Sequence, residues 1–162
     1  MKDTGNITYI RTDEKDLELI APLWRKLVQH HKERSPEVFK ERFDNITFAD
    51  RKCQLLAKSE GGAMLIDLAK DKATGELVGY CVSVISGNKE GEIESIYVAK
   101  EYRGGGIGDG LMKKALAWMD AGEVSRRVIA VAAGNEEVFS FYRRYGFYPR
   151  VSILTEQEKK PE

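Results

Sequence analysis

The sequence predicts a mixed α/β domain: a central, mostly antiparallel sheet flanked by helices. Three observations predict it. Strand-like segments follow one another between tight turns in the middle of the chain, amphipathic helical segments lie on either side of them, and a glycine cluster joins a strand to a helix.

The first element is a short strand at 7–10, read from its β-branched content. Leu17, Ile20, Ala21, Trp24, Leu27, Val28 and His31 then recur at helical spacing, which predicts an amphipathic helix over 14–31. Pro22 either opens that helix or kinks it. Ser35-Pro36-Glu37 starts a second short helix that runs to about Phe43, with Ser35 as N-cap. Residues 50–60 carry an ambiguous pattern that favours helix.

Strands are expected at 64–69, 77–86 and 92–98. The turn at 87–91 makes the last two a hairpin or meander. The helix after the glycine cluster runs to about Asp120 with Gly122 as C-cap. The apolar run 128–132 reads as a strand buried on both faces. Asn135 opens a helix, as an N-cap followed by two acidic residues, and that helix ends before Gly146. A final strand is expected at 148–154. The order is β-α-α-β-β-β-α-β-α-β, a single domain over 1–162 with a frayed, charged tail at 156–162.

Composition narrows the function. The 162 residues are 42% hydrophobic and 32% charged, which fits a globular chain with a real core. Lys+Arg and Asp+Glu each number 26, so the formal net charge is zero and a nucleic-acid backbone is not the expected partner. Cys53 and Cys81 are too few for a disulfide scaffold or a cysteine zinc site, and a reducing, cytoplasmic home is expected. No apolar run approaches membrane-spanning length, and the opening residues carry no secretory pattern. His30 and His31 are the only histidines; neighbours on a helix diverge by about 100°, so no metal site is expected. His31 is expected to be partly buried and His30 to lie at the surface. Cys81 reads as a buried strand residue.

The segment from Tyr102 to Gly110 holds five of the chain's 15 glycines. Glycines bring bare N–H groups close to a ligand, and a helix N-terminus adds unpaired donors and partial positive charge. Together they suit a phosphate or pyrophosphate. The dinucleotide fingerprint fails, because its last glycine falls on Asp109 or Leu111. The P-loop fails because Leu111-Met112 stand where Lys-Ser/Thr is required. Arg103-x-x-Gly106-x-Gly108 does fit this turn.

With the preceding Glu94-Ser95-Ile96-Tyr97-Val98, this segment resembles the coenzyme A motif of the GCN5-related N-acetyltransferases. Asn135, Tyr142 and Gly146-Phe147 resemble that family's second motif at its expected distance. The resemblance implies the acyl-CoA N-acyltransferase fold, in which the strand before the loop splays from its neighbour. It implies acetyl-CoA as cosubstrate, without a metal. The main chain of Ile96, Tyr97 and Val98 would bind acetyl-pantetheine. The amides of Arg103, Gly104, Gly105, Gly106, Ile107, Gly108 and Asp109 would hold the pyrophosphate, and Asn135 would line the pantetheine. It also suggests a homodimer. Arg103, Lys113, Lys114, Arg143 and Arg144 are candidate cations for the anionic coenzyme, the two adjacent pairs being equally readable as solvated helix faces.

Acetyl transfer to an amine needs a proton acceptor for the amine, a donor for the developing oxyanion, and a proton for the departing thiolate. Glu92 and Glu94 are two apart on one strand and so share a face. They would attract a cationic amine and raise each other's pKa. Glu94 stands where members similar to the polyamine acetyltransferases carry their proposed base, and Tyr142 where the family carries its proposed acid. The expected activity is transfer of acetyl from acetyl-CoA to a small primary amine, polyamine-like or otherwise cationic, by direct attack in a ternary complex. A protein acceptor and a silent coenzyme A-binding module are the rival readings.

Overall fold

The structure, a computed structural model, describes residues 4–157. From residue 158 onward the expected frayed tail lies outside the described residues, as do residues 1–3 of the opening segment. The chain forms two compact units: Met1–Leu27 with Thr47–Ala130, and Val28–Ile46 with Val131–Glu162.

The first unit is built on five strands in sequence order: β1 (Ile7–Thr12), β2 (Ala63–Asp71), β3 (Leu77–Ile85), β4 (Glu90–Val98) and β5 (Arg126–Ile129). The first four pair antiparallel and β5 joins β4 in parallel, so the sheet is mixed and mostly antiparallel as expected. β2 and β3 are buried along nearly their whole length, whereas β4 alternates half-buried and buried residues. That alternation means its two faces meet different surroundings.

One face receives α3 (Ile107–Ala121). Its buried stripe of Ile107, Leu111, Met112, Ala115 and Met119 packs over β2, β3 and β4. Gly91 lets this helix close in, since a Cβ there would stand 2.9 Å from the Met119 sulfur. The neighbouring Glu92 points the other way, to Lys58 of α2 (Phe48–Ser59), so α2 and α3 cover opposite faces. Thr47 caps α2, its hydroxyl accepting from the Asp50 N–H at 3.1 Å. The helix expected at 50–60 therefore forms and starts two residues earlier.

The pattern expected as one helix over 14–31 divides into a 3₁₀ segment, Glu14–Ile20, and α1 (Ala21–Arg34). Pro22 resolves in favour of a start: it sits in the first turn of α1, where a missing N–H costs nothing. β5 corrects a second expectation. It runs from Arg126 to Ile129 and is exposed or half-buried, not buried on both faces. It is the last strand of the sheet, with β4 as its one strand neighbour.

In the second unit, α1 ends and a 3₁₀ segment, Glu37–Asp44, follows in place of the expected short helix. Ser35 is not its N-cap. Pro36 occupies that position without a side-chain cap, and the Ser35 hydroxyl donates to the Pro36 carbonyl. After a 3₁₀ turn at Glu136–Val138 comes α4 (Phe139–Arg143), with Gly146 at φ 82° beyond its end. The strand expected at 148–154 does not form. Its β-branched residues found no ladder among the described residues, and Ile153 and Leu154 stand exposed.

Candidate functional site

In the first unit the site begins where β4 leaves β5. Their ladder runs from Glu90↔Arg126 to Ile93↔Ile129 and stops, while β4 continues to Val98. On its other side β4 slips register against β3: Ser83 faces Ile93, and Val82 faces Ser95. Glu94 is the extra residue of this bulge, and alone in β4 it has no partner in either ladder. Its carbonyl accepts instead from Arg51 Nη2 of α2 at 2.9 Å. Beyond the bulge lie Ile96, Tyr97 and Val98. Tyr97 is buried, and the Arg103 guanidinium lies over its ring at 5.3 Å. The Val98 carbonyl accepts from Arg103 Nε at 2.9 Å.

A 3₁₀ turn, Lys100–Tyr102, leads into the glycine loop. Tyr102 is buried and donates from Oη to Asp71 Oδ2 at 2.7 Å, which pins the loop's entrance to the end of β2. The Arg103 N–H is spent on the Lys100 carbonyl at 3.3 Å, because Arg103 ends that turn. The run of candidate amides thus starts one residue later than the sequence predicts. Gly104 and Gly106 take φ of 81° and 82°, the left-handed region that favours glycine. Gly106 is the N-cap of α3, and the helix's first bond runs from the Gly110 N–H to the Gly106 carbonyl. The N–H groups of Ile107, Gly108 and Asp109 therefore precede the helix's own bonding. Ile107 is buried, whereas a Cβ on Gly106 would meet nothing within 4 Å. Asp109 lies near Tyr9, whose phenol is pushed up in pKa by burial and then by the Asp109 charge.

On the α2 face of β4 sits a cluster of four charges. The Glu94 side chain is 3% exposed. Its Oε2 accepts from Arg51 Nη2 at 3.1 Å, and its Oε1 lies 2.6 Å from Lys58 Nζ. That second contact lacks hydrogen-bond geometry, so Oε1 is a buried oxygen with a charge beside it but no donor aimed at it. Lys58 Nζ also donates to Glu92 Oε2 at 3.1 Å. Burial raises the Glu92 pKa, the Glu94 charge raises it further, and Lys58 opposes both. For Lys58, burial pushes the pKa down, but its close contacts with Glu94 and Glu92 and their negative charges outweigh it and the net shift is upward.

The shared face of Glu92 and Glu94 was legible in the sequence; their counter-ions were not. Arg51 and Lys58 are seven residues apart, which places them on one face of a helix. That spacing was the available signal, obscured by the ambiguous pattern of 50–60.

The second unit carries the other two predicted site residues. Asn135 is buried and does not cap the following helix. Its Oδ1 lies 3.4 Å from His30 Nε2, and the Gly134 N–H is taken by the Glu136 carboxylate at 2.9 Å. His30 is therefore half-buried and engaged rather than at the surface. Tyr142 is the one buried side chain of α4, edge-on to Phe141 with ring centroids 5.3 Å apart. Tyr145 is half-buried, with the Arg144 guanidinium over its ring. Of the other expected cations, Lys114 lies over the Tyr9 ring and Arg143 over Tyr148. Cys81 is buried as expected, which pushes its thiol up to about 12, so it is no nucleophile at neutral pH.

A thioester cosubstrate with a diphosphate fits the first unit. Amides at the mouth of α3 meet open space at Gly106, and the β4 edge beyond Glu94 has parted from β5. Comparison with known proteins bears on the family and the fold. An N-acetyltransferase of Archaeoglobus fulgidus, itself described as uncharacterized, is 34% identical over 100 residues, 58% of this chain and 60% of its own length. A GCN5-related N-acetyltransferase from Ralstonia eutropha superposes with a TM-score of 0.70 at 17% identity, covering 93% of this chain and 97% of its own. An aminoglycoside acetyltransferase from a soil metagenomic sample has a TM-score of 0.62 at 16% identity, covering 98% and 100%. At such identities the two structures show a common fold and leave the acceptor open. The model of the acetyltransferase (GNAT) family matches residues 24–147, which spans both predicted motifs and the elements that carry them. The chain belongs to that family.

Proposed function

We propose that the protein is an acetyl-CoA-dependent N-acetyltransferase acting on the primary amine of a small cationic molecule, by direct attack in a ternary complex. The observation that carries this reading is the parting of β4 from β5 at Glu94, followed by a helix whose first amides are glycine-lined. Acetyl-CoA supplies the acetyl group already activated as a thioester.

The chain's residues divide the remaining work. The main chain of Ile96, Tyr97 and Val98 aligns the acetyl-pantetheine arm, with a main-chain N–H near Val98 serving the oxyanion. Arg103 supports that edge by holding the Val98 carbonyl. The amides of Gly104, Gly105, Gly106, Ile107, Gly108 and Asp109 bind the pyrophosphate. Asn135 borders the pantetheine. Glu94 accepts the amine proton. Glu92, more exposed and raised in pKa, passes it to solvent. Tyr142 gives the departing thiolate its proton; the ordinary values of about 10 for a phenol and about 8.5 for a thiol make this slightly uphill but feasible within a hydrogen bond.

Among the described residues no helix is long and apolar enough to cross a membrane.

The test is thiol release from acetyl-CoA by the purified protein over a panel of small amines, peptides and acyl-CoAs. Turnover with small cationic amines is the expected result. Turnover with peptides alone would move the acceptor to proteins, and tight coenzyme A binding without turnover would make the chain a binding module.

A further inference from the structure

Of the two cations on Glu94, one is built in and one is not. Arg51 is 20% exposed and is held twice by the same residue, through the main-chain carbonyl and the carboxylate. Lys58 is 46% exposed at its side chain and reaches the two carboxylates from a flexible stem. At Glu94 it supplies charge without a well-directed hydrogen bond, so the buried Oε1 remains without a donor. A buried carboxylate oxygen in that state is neutralised by charge alone, and a donor directed at it would bind it better.

We propose that Lys58 is an internal stand-in for the acceptor: its ammonium holds the seat between Glu94 and Glu92 that a primary alkylammonium takes by displacing it. This rests on the acetyltransferase reading above. The exchange is cation for cation. Lys58 swings into water, the incoming ammonium supplies three donors free to align on Oε1 and on Glu92, and the charge of the cluster is unchanged. A neutral acceptor would leave the pair of carboxylates with Arg51 alone, and an anionic one would add repulsion. The seat thus selects cationic amines and screens out others, and Lys58 keeps the carboxylates neutralised until such an amine arrives.

The experiment titrates n-butylammonium chloride, without acetyl-CoA, into wild type, Lys58→Met and Lys58→Arg, with n-butanol as the uncharged control. Removing the competing ammonium should tighten butylammonium binding about tenfold in Lys58→Met, as expected if Lys58 holds the seat most of the time. Lys58→Arg should bind like wild type, butanol should show no gain, and Glu94→Gln added to Lys58→Met should abolish the gain. In wild type, the Lys58 Cε–H resonances should move toward free-lysine values over the same titration, a readout that needs no variant. Equal butylammonium affinity in folded Lys58→Met and wild type, or an unmoved Lys58 resonance, would overturn the inference. Acetyl-CoA binding measured on the same preparations reports separately on the acetyltransferase reading.

Discussion

Arg51 grips Glu94 at both its main chain and its side chain. One nitrogen, Nη2, donates to the Glu94 carbonyl at 2.9 Å and to its carboxylate at 3.1 Å. Glu94 is the residue that both ladders of β4 omit, so the guanidinium replaces the missing strand partner at the point where the sheet opens. Arg51→Met should lower the unfolding free energy by about 2 kcal/mol, less than for a fully buried pair because Arg51 is 20% exposed. Arg51→Lys should recover only part of that loss, since an ammonium lacks the guanidinium's geometry. Urea unfolding of the two variants measures both; equal stability of Arg51→Met and wild type would show that the bulge holds itself.

The loop's conformation and its ligand separate at Gly106. A Cβ meets no neighbour there, so Gly106→Ala carries only the left-handed backbone penalty of about 1 kcal/mol. Gly106→Glu adds negative charge at the helix mouth and should abolish acetyl-CoA binding by calorimetry while leaving the fold intact by circular dichroism. Normal binding by that variant would place the pyrophosphate elsewhere.

Gly110 serves packing instead. A Cβ there would overlap the Tyr9 hydroxyl, with ring carbon Cζ 2.6 Å away. Gly110→Ala should cost about 1–3 kcal/mol by overpacking, and Tyr9→Ser in the same chain should restore most of it. A thermal-melt comparison of the single and double variants decides; no rescue would mean that Tyr9 is not the obstacle.

Tyr142→Phe keeps the buried ring and removes the proton. It should lower kcat by about a hundredfold with acetyl-CoA affinity nearly unchanged. Steady-state kinetics with a reactive amine give the answer, and undiminished turnover would remove Tyr142 from the proton path.

The fold and the site were unequally legible in the sequence. The glycine cluster, the 77–98 hairpin and the shared face of Glu92 and Glu94 follow from local chemistry: φ, turn residues and strand period. The strand expected at 148–154 depended on a ladder partner, which a segment's own propensity does not reveal. Asn135 has the chemistry of a cap, yet its side chain meets His30, more than a hundred residues away in sequence. Arg51 and Lys58 were equally hidden, because their value arises from what β4 presents to them across the sheet.

His31 provides a pH prediction. Burial lowers its pKa, His30 lowers it further, and its Nδ1 is buried without a hydrogen-bond partner. As pH falls through about 6.5 the unfolded chain takes up the proton first, so the folded state loses stability from there down to the lower folded pKa. His31→Leu should flatten the fall in Tm across that window. Parallel Tm curves for variant and wild type would contradict the assignment.

Amide chemical-shift mapping with acetyl-CoA addresses the whole account most directly. Binding should perturb Gly104 to Asp109 and Ile96 to Val98 before any other residues of the first unit. Saturation with those amides unmoved would contradict it.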